Sequence, residues 1–489
     1  MEPVFPFDLA LPARGQGSLT QVLHQQLRAA ILDGRLAAGA ALPATRRVAA
    51  VLGIARNTVV AAYDLLMAEG YVVPKPGAKA TVASIAARRP ANAARHLPKP
   101  DDHRLNPTYW QPPFMGPTAP PGLPSQSFRI GVPDHRHFPH ALWRQLSAQS
   151  LRAWAKSPFR YPPTEGIPAL REAIAQHVAF ARAVACTGED VIVTSGAQQA
   201  FDLLARLLVT PDRTCVAVED PGYPTFRTTF TNAGARVVAI PVDDEGLCVD
   251  QLPNDVRVIC VTPSHQSPTG VALSLRRRTA LLDFARKHDA VIIEDDYDGE
   301  FRFGGRPLDA LQTLDCDALV FYVGTFSKSL FPALRKGFVV APAWARDGLL
   351  AAKLYADSHC DEIAQMTLAA FIQGGHLARH VRKMRSLYAA RREALLDGMR
   401  RELGAWLDPL PSEAGLHLAA RIREPEHAGR IIAATRRHAP GAQSIAEYSL
   451  TPPQRPALSF GYGVIDAEEI APALSRLRRA LEVTGTEGG

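Results

Sequence analysis

Leu319-Val-Phe-Tyr-Val-Gly-Thr-Phe-Ser-Lys-Ser-Leu330 decides the reading of the larger part of this chain. The β-forming residues Leu319 to Val323 stop at Gly324, and a polar turn then delivers one lysine, Lys328, with Arg335 a little further on. A strand that ends in Gly-Thr-x-Ser-Lys holds an amine on a rigid edge. A lysine kept off solvent and near other cations loses its proton and becomes nucleophilic, which is what Schiff-base chemistry requires. An isolated Ser-Lys pair is ordinarily a surface feature, so the case rests on its neighbours.

From Phe128 onward, four more apolar, β-branched runs alternate with helical stretches: Val191-Ile-Val-Thr194, Cys215-Val-Ala-Val218, Val258-Ile-Cys-Val261 and Ala290-Val-Ile-Ile293. Continuous apolar runs between helices predict a parallel sheet covered on both faces, with ligands bound beyond the carboxyl ends of the strands. Each run ends in residues with chemistry. Ser195-Gly196-Ala197-Gln198 is a glycine turn into a helix, Glu219-Asp-Pro-Gly-Tyr223 brings an aromatic, and Thr262-Pro-Ser-His-Gln-Ser267-Pro-Thr-Gly270 is a polar loop. Glu294-Asp295-Asp-Tyr297-Asp298 sets acids beside a phenol, and the last run ends in Lys328. Singly these are helix caps and solvated loops; together they form a site pattern.

Pyridoxal 5′-phosphate (PLP) needs such parts. An amine forms the covalent link, a carboxylate keeps the pyridine nitrogen protonated, and a phenol addresses the ring oxygen. An aromatic stacks on the ring, while a helix N-terminus and an arginine grip the phosphate. The candidates are Lys328, Asp295, Tyr297, Tyr223, the turn Ser195, Gly196, Ala197 and Gln198, and Arg335, with Thr325 and Ser327 as further phosphate donors.

The N-terminal part reads differently. Leu19, Val22, Leu23, Leu27, Ile31 and Leu32 form a helical stripe that ends at Gly34. Thr45 to Gly53 is a short helix closed by glycine, and Ile54 to Gly70 contains a longer one. Tyr71-Val-Val and Thr81-Val-Ala then predict a two-stranded wing. This is the helix-turn-helix order, whose second helix enters the major groove of DNA. Arg56, Asn57 and Thr58 open that helix, where arginine reads guanine and asparagine adenine. Thr45, Arg46 and Arg47 open the preceding one, a position suited to phosphate, and Lys75 and Lys79 sit on the wing.

Composition agrees. With 489 residues, 47% apolar and 21% charged, the chain is a multidomain globular protein. Residues 1–89 hold ten Lys/Arg against five Asp/Glu, which is +5 of the total of +7 and suggests a polyanionic partner. Six scattered cysteines have no metal-ligand spacing and imply a reducing cytoplasm. No apolar run approaches the ~18 residues that span a bilayer, and the start lacks the pattern of a signal peptide. Ten prolines between 84 and 126 predict a semi-rigid linker. The expected domains are therefore 1–83, the linker 84–126, and 127–489, the last divided into a large part of about 165–345 and a smaller C-terminal part of about 346–489.

Leu36-x-x-Gly-x-x-Leu-Pro-x-x-Arg46, Leu52-Gly-x-x-Arg-Asn-Thr-Val59, Ala62-Tyr63 and Glu69-Gly-Tyr71 resemble the winged helix of GntR-type bacterial regulators. The segment from about 128 to 470 resembles the fold-type I aminotransferases. Joined, the two are similar to the MocR/GabR-like subfamily of transcription regulators. The implied fold is an N-terminal winged helix-turn-helix plus an α/β fold-type I PLP-dependent aminotransferase-like domain. The resemblance assigns the internal aldimine to Lys328, the pyridine nitrogen to Asp295, the ring oxygen to Tyr297 and the phosphate to Arg335. Phe159-Arg-Tyr161 resembles the segment that lends a phosphate-binding tyrosine to the second subunit, which implies a homodimer. Enzymes of this fold generally carry asparagine where this chain has Ser267. A ligand-binding arginine of the GABA-responsive relative is met here by Glu447, so that specificity is not carried over, and Arg455 is the nearby alternative. The implied function is a PLP-dependent, promoter-binding regulator that senses an amine, an amino acid or PLP itself through exchange at Lys328. The alternative is a working aminotransferase with an accessory DNA-binding domain.

Overall fold

A computed structural model describes residues 4–12, 17–74, 79–84, 127–304, 309–451 and 455–486, the last with side chains to 483. It divides into two compact units on either side of residue 104. The linker expected at 84–126 lies outside the described residues apart from Ser84.

In the N-terminal unit α1 (Leu19–Leu32), α2 (Thr45–Leu52) and α3 (Arg56–Ala68) precede a two-stranded wing, β1 (Val72–Val73) antiparallel to β2 (Thr81–Val82). The expected apolar stripes meet: Leu23, Leu27 and Ile31 of α1 share one core with Val48 of α2, Val59, Ala62 and Leu66 of α3, and Val72 and Val82 of the wing. Gly53 closes α2 in the left-handed conformation, φ 64°, and so makes the turn of the motif. The Tyr63 hydroxyl donates to Pro43 O at 3.0 Å and fixes α3 against the segment that enters α2.

The second unit carries an eight-stranded sheet. Its strands are β3 (Val191–Thr194), β4 (Cys215–Asp220), β5 (Arg236–Asp243), β6 (Gly246–Leu247), β7 (Val256–Val261), β8 (Val291–Asp296), β9 (Val320–Thr325) and β10 (Gly337–Val340), in the order β3-β10-β9-β8-β7-β4-β5-β6. The five runs read from the sequence are β3, β4, β7, β8 and β9, and they run in one direction. The sheet is nonetheless mixed, because β10 lies antiparallel between β3 and β9. The link from β9 to β10 is too short for a helical crossover, so the chain must turn back on itself. That reversing link carries Lys328 and Arg335.

A four-stranded antiparallel sheet of β11 (Leu407–Pro409), β12 (His417–Ile422), β13 (Gln443–Ser444) and β14 (Ala457–Gly461) forms the C-terminal subdomain. It packs under the long helix His376–Gly398 and the last helix, Ala467–Thr486. The helices Arg346–Asp357 and Glu362–Gln373 bury Leu349, Leu368 and Phe371 in the cores of the large sheet instead. Helical periodicity shows a buried face but not which layer covers it. Residues before 165 also join the C-terminal part: Gly461 N–H donates to Phe128 O, and Arg391, fully buried in the long helix, ion-pairs with Asp134 at 2.7 Å.

Candidate functional site

Gly337 pairs with Thr325 on one side and Thr194 on the other. This register brings the turn after β3, the lysine turn after β9 and Arg335 to one end of the sheet. Lys328, half-buried, donates from Nζ to Gly131 O at 2.6 Å. Burial lowers its pKa below the usual lysine value; Asp298 and Asp295 oppose that shift and Arg335 adds to it. Gly131 has φ +66°, and a Cβ there would lie 3.0 Å from the lysine nitrogen. Sequence reading missed Gly131, since nothing local marks it as the partner of a lysine so far along the chain.

At the neighbouring strand end the helix Ala197–Leu208 begins at Gly196, φ +84°, with no side-chain cap on its N-terminal N–H groups. The Arg335 guanidinium donates to Ser195 O at 2.8 Å, and a Cβ on Gly196 would lie 2.6 Å from its Nη2. A cation is thus held across a helix N-terminus that attracts negative charge. Beside it, Thr325 Oγ1 donates to Ser327 Oγ at 3.0 Å, and Ser327 N–H donates to Thr325 Oγ1. Ala197 opens the helix, whereas the Gln198 side chain turns away to donate to Thr229 Oγ1 at 2.8 Å. Tyr161 stands at the surface, 87% exposed, its ring edge-on to His359.

The acidic run at the end of β8 separates into three roles. Asp296 is taken by Arg182 and by the Tyr322 hydroxyl, each at 2.6 Å. Asp298 holds His265 Nδ1 at 3.0 Å. Asp295 is buried, and its Oδ1 has no hydrogen-bond partner among the described residues. Burial holds its pKa well above the usual carboxylate range, reinforced by Asp296 and Asp298 and opposed by Lys328. Tyr223 occupies the N-cap position of the helix Pro224–Asn232 without a side-chain cap and packs against Phe201 and Phe226; burial raises its pKa, Asp295 adds to that shift and Arg335 opposes it. The Tyr297 hydroxyl donates to His265 O at 2.9 Å. Ser267 N–H donates to Thr262 Oγ1 at 3.1 Å, and Thr262 in turn donates to the buried Glu219. Burial pushes the Glu219 carboxyl up to about 7, against hydrogen bonds from Thr262 and Gln266.

These residues fit PLP. An orphaned, buried carboxylate oxygen suits a protonated ring nitrogen, two glycines leave room where a Cβ would meet Lys328 or Arg335, and the uncapped helix suits the phosphate. Arg455 lies elsewhere, lining a cleft of about 640 Å3 with Asp220, Asp243, Asp244 and Arg421. Glu447 is paired with Arg436 at 3.0 Å. His265 and His417, whose rings are tilted by 44° with centroids 4.4 Å apart, were not singled out from the sequence.

In the other unit, α2 and α3 begin at Ala44 and Ala55 with no side-chain cap and no acid in the first turn, whereas α1 is capped by Ser18. Thr45, Arg46 and Arg47 lie on the first turn of α2, and Arg56, Asn57 and Thr58 on that of α3. Arg46, Arg47, Arg56 and Asn57 are exposed, as is Lys79; Thr45 and Thr58 are half-buried. Lys75 lies outside the described residues.

Comparison with known proteins matches both units. Residues 19–82 match the bacterial regulatory proteins of the gntR family, and residues 128–437 match aminotransferase class I and II. The probable rhizopine catabolism regulatory protein MocR of Rhizobium meliloti is 35% identical over 95% of this chain and 94% of its own length. The chain belongs to the MocR-like branch of the GntR-type regulators. This MocR-like chain is also similar to the HTH-type transcriptional regulator TauR of Rhodobacter capsulatus, with 37% identity over 80% of the chain and 81% of the relative's own length. Among solved structures, Thermus thermophilus LysN, an α-aminoadipate aminotransferase complexed with N-(5′-phosphopyridoxyl)-L-leucine, covers 74% of the chain and 93% of its own at 28% identity, TM-score 0.66. The kynurenine aminotransferase of Pyrococcus horikoshii, in complex with PMP, covers 73% of the chain and 91% of its own at 25% identity, TM-score 0.67.

Proposed function

We propose that this MocR-like protein is a cytoplasmic, promoter-binding transcription regulator whose aminotransferase-like module holds PLP as a sensor for an amine or amino acid, working as a homodimer. The carrying observation is the convergence at one sheet end of Lys328, the buried Asp295, whose Oδ1 has no partner among the described residues, and the Arg335-bridged helix N-terminus. Bound there, PLP supplies an electrophilic carbon that a lysine and an incoming amine compete for. The protein's part is to present Lys328 unprotonated, hold the ring nitrogen on Asp295, and anchor the phosphate on Ser195–Ala197 and Arg335, with Tyr223 against the ring face.

On the DNA side, Arg56, Asn57 and Thr58 address base edges, and the uncapped start of α2 with Arg46 and Arg47 addresses phosphate. An effector regulates only by binding two states of the dimer unequally. The test is the affinity of the intact protein for a duplex selected from a randomised pool, measured with PLP and a panel of amines and amino acids. A regulator changes DNA affinity with one of them. The likeness to aminotransferases favours a second reading, a working transaminase; there DNA affinity stays constant and an amino donor with a 2-oxo acid gives repeated turnover.

A further inference from the structure

His265 and Asp298 are buried beside the lysine site, next to Tyr297, and have no part in the chemistry described so far. His265 and Asp298 are each at most 2% exposed. The Asp298 carboxylate lies 3.0 and 3.2 Å from His265 Nδ1, so that nitrogen carries the proton. The Tyr297 oxygen lies 3.0 Å from the same Nδ1 and 2.9 Å from the His265 carbonyl. His265 thus faces the phenol twice: its single Nδ1–H is shared between the Asp298 carboxylate and the phenol oxygen, and its backbone carbonyl accepts the phenol proton. His417 covers the ring, 4.4 Å between centroids, and is buried as well. Burial keeps His417 neutral, its pKa pushed well below the usual histidine range, with His265 and Lys328 adding to the effect.

We propose that His265, oriented by Asp298, is a positioning residue that anchors the Tyr297 phenol and aims its hydroxyl at the ring oxygen of the bound cofactor. This rests on the PLP reading above. When an anionic ring oxygen arrives, the phenol proton swings from the His265 carbonyl to that oxygen, while Nδ1–H keeps the phenol oxygen in place. No proton changes owner.

The test uses the full-length protein and two readouts. In the first, cofactor dissociation and the pH midpoint of the lysine-linked absorption band are measured for Tyr297→Phe, His265→Leu and the double variant. About a tenfold weakening is expected for each single variant, and no more than that for the double variant, because both remove one interaction. A hundredfold, additive loss would show that His265 acts independently of the phenol and would overturn the proposal. His265→Asn, which keeps a donor near Nδ1, should restore the wild-type midpoint; failure to do so also counts against it. The second readout is the nitrogen NMR spectrum of histidine-labelled protein without cofactor. Nδ1–H of His265 should be protected and should shift in Tyr297→Phe, and Asp298→Asn should move the proton to Nε2. A His265 signal indifferent to both variants refutes the anchor. If the wild type holds no cofactor while the NMR coupling is present, the PLP reading fails and the Asp298–His265–Tyr297 geometry stands.

Discussion

At the residue scale, the site depends on where protons sit. Glu219 is buried and its carboxyl titrates near 7, above the ordinary 4.5. A group whose pKa is raised by folding stabilises the folded state below its unfolded pKa, and that contribution is lost as pH rises through the folded value. Folding stability should therefore fall between about pH 4.5 and 7. Glu219→Gln, which cannot ionise, should escape that fall. Thermal melts of the two proteins should coincide in trend below pH 4.5 and diverge to a plateau above pH 7, by up to about 3 kcal/mol. Lys328 has the opposite sign of shift: its lowered pKa makes the free amine available at lower pH than an exposed lysine. The rate at which the cofactor-free protein captures PLP should accordingly level off below the usual lysine pKa, as stopped-flow absorption would show. Lys328, Asp295 and Arg335 were legible because each follows a β-branched run at short range. His265 and His417 were not, since their meaning comes from contact between β7–β8 loops and β12, segments far apart in sequence.

At the element scale, the reversing link from β9 to β10 and the uncapped helix after β3 are held together by register. Gly196→Val should break that join, because φ is +84° and a Cβ there meets the Arg335 guanidinium. Phosphate anchoring should weaken by about tenfold or more, read as PLP dissociation, and the strained backbone should also lower the melting temperature, at a cost of about 1–3 kcal/mol of stability. The Arg391 cluster is a second such joint. Asp134 is held near 2 although burial opposes it, because Arg136 and Arg391 hydrogen-bond to it. Arg391→Leu leaves Asp134 buried and half-paired and should cost about 3–5 kcal/mol in chemical denaturation. The apolar runs predicted β3, β4, β7, β8 and β9 well, since a strand buried on both faces is written as continuous Val and Ile. The direction of β10 was not written there; it follows from the shortness of its connection. Nor did the sequence show that the helices Arg346–Asp357 and Glu362–Gln373 belong to the large sheet, for an amphipathic face does not name its partner.

At the scale of the whole molecule, two compact units carry two chemistries, one basic at its helix starts and one built around an amine. Arg46→Ala should lower DNA affinity for all sequences alike and reduce the slope of log affinity against log salt by about 1, whereas Arg56→Ala should cost about 1–3 kcal/mol and relax discrimination at one base pair. Neither change should alter PLP binding. Fold and family were legible here because the signatures are local: helix order, a closing glycine, strand-end residues. The identity of the effector is a property of a pocket assembled from many segments, and no local pattern carries it. Whether Lys328 holds PLP as a sensor is read from the visible absorption spectrum of the purified protein, titrated with amines and amino acids. A Schiff-base band, absent in Lys328→Ala, should shift and then hold for one compound. A wild-type protein without that band, or one in which the band decays to the pyridoxamine form and is restored over repeated cycles by a 2-oxo acid, would contradict the sensor reading.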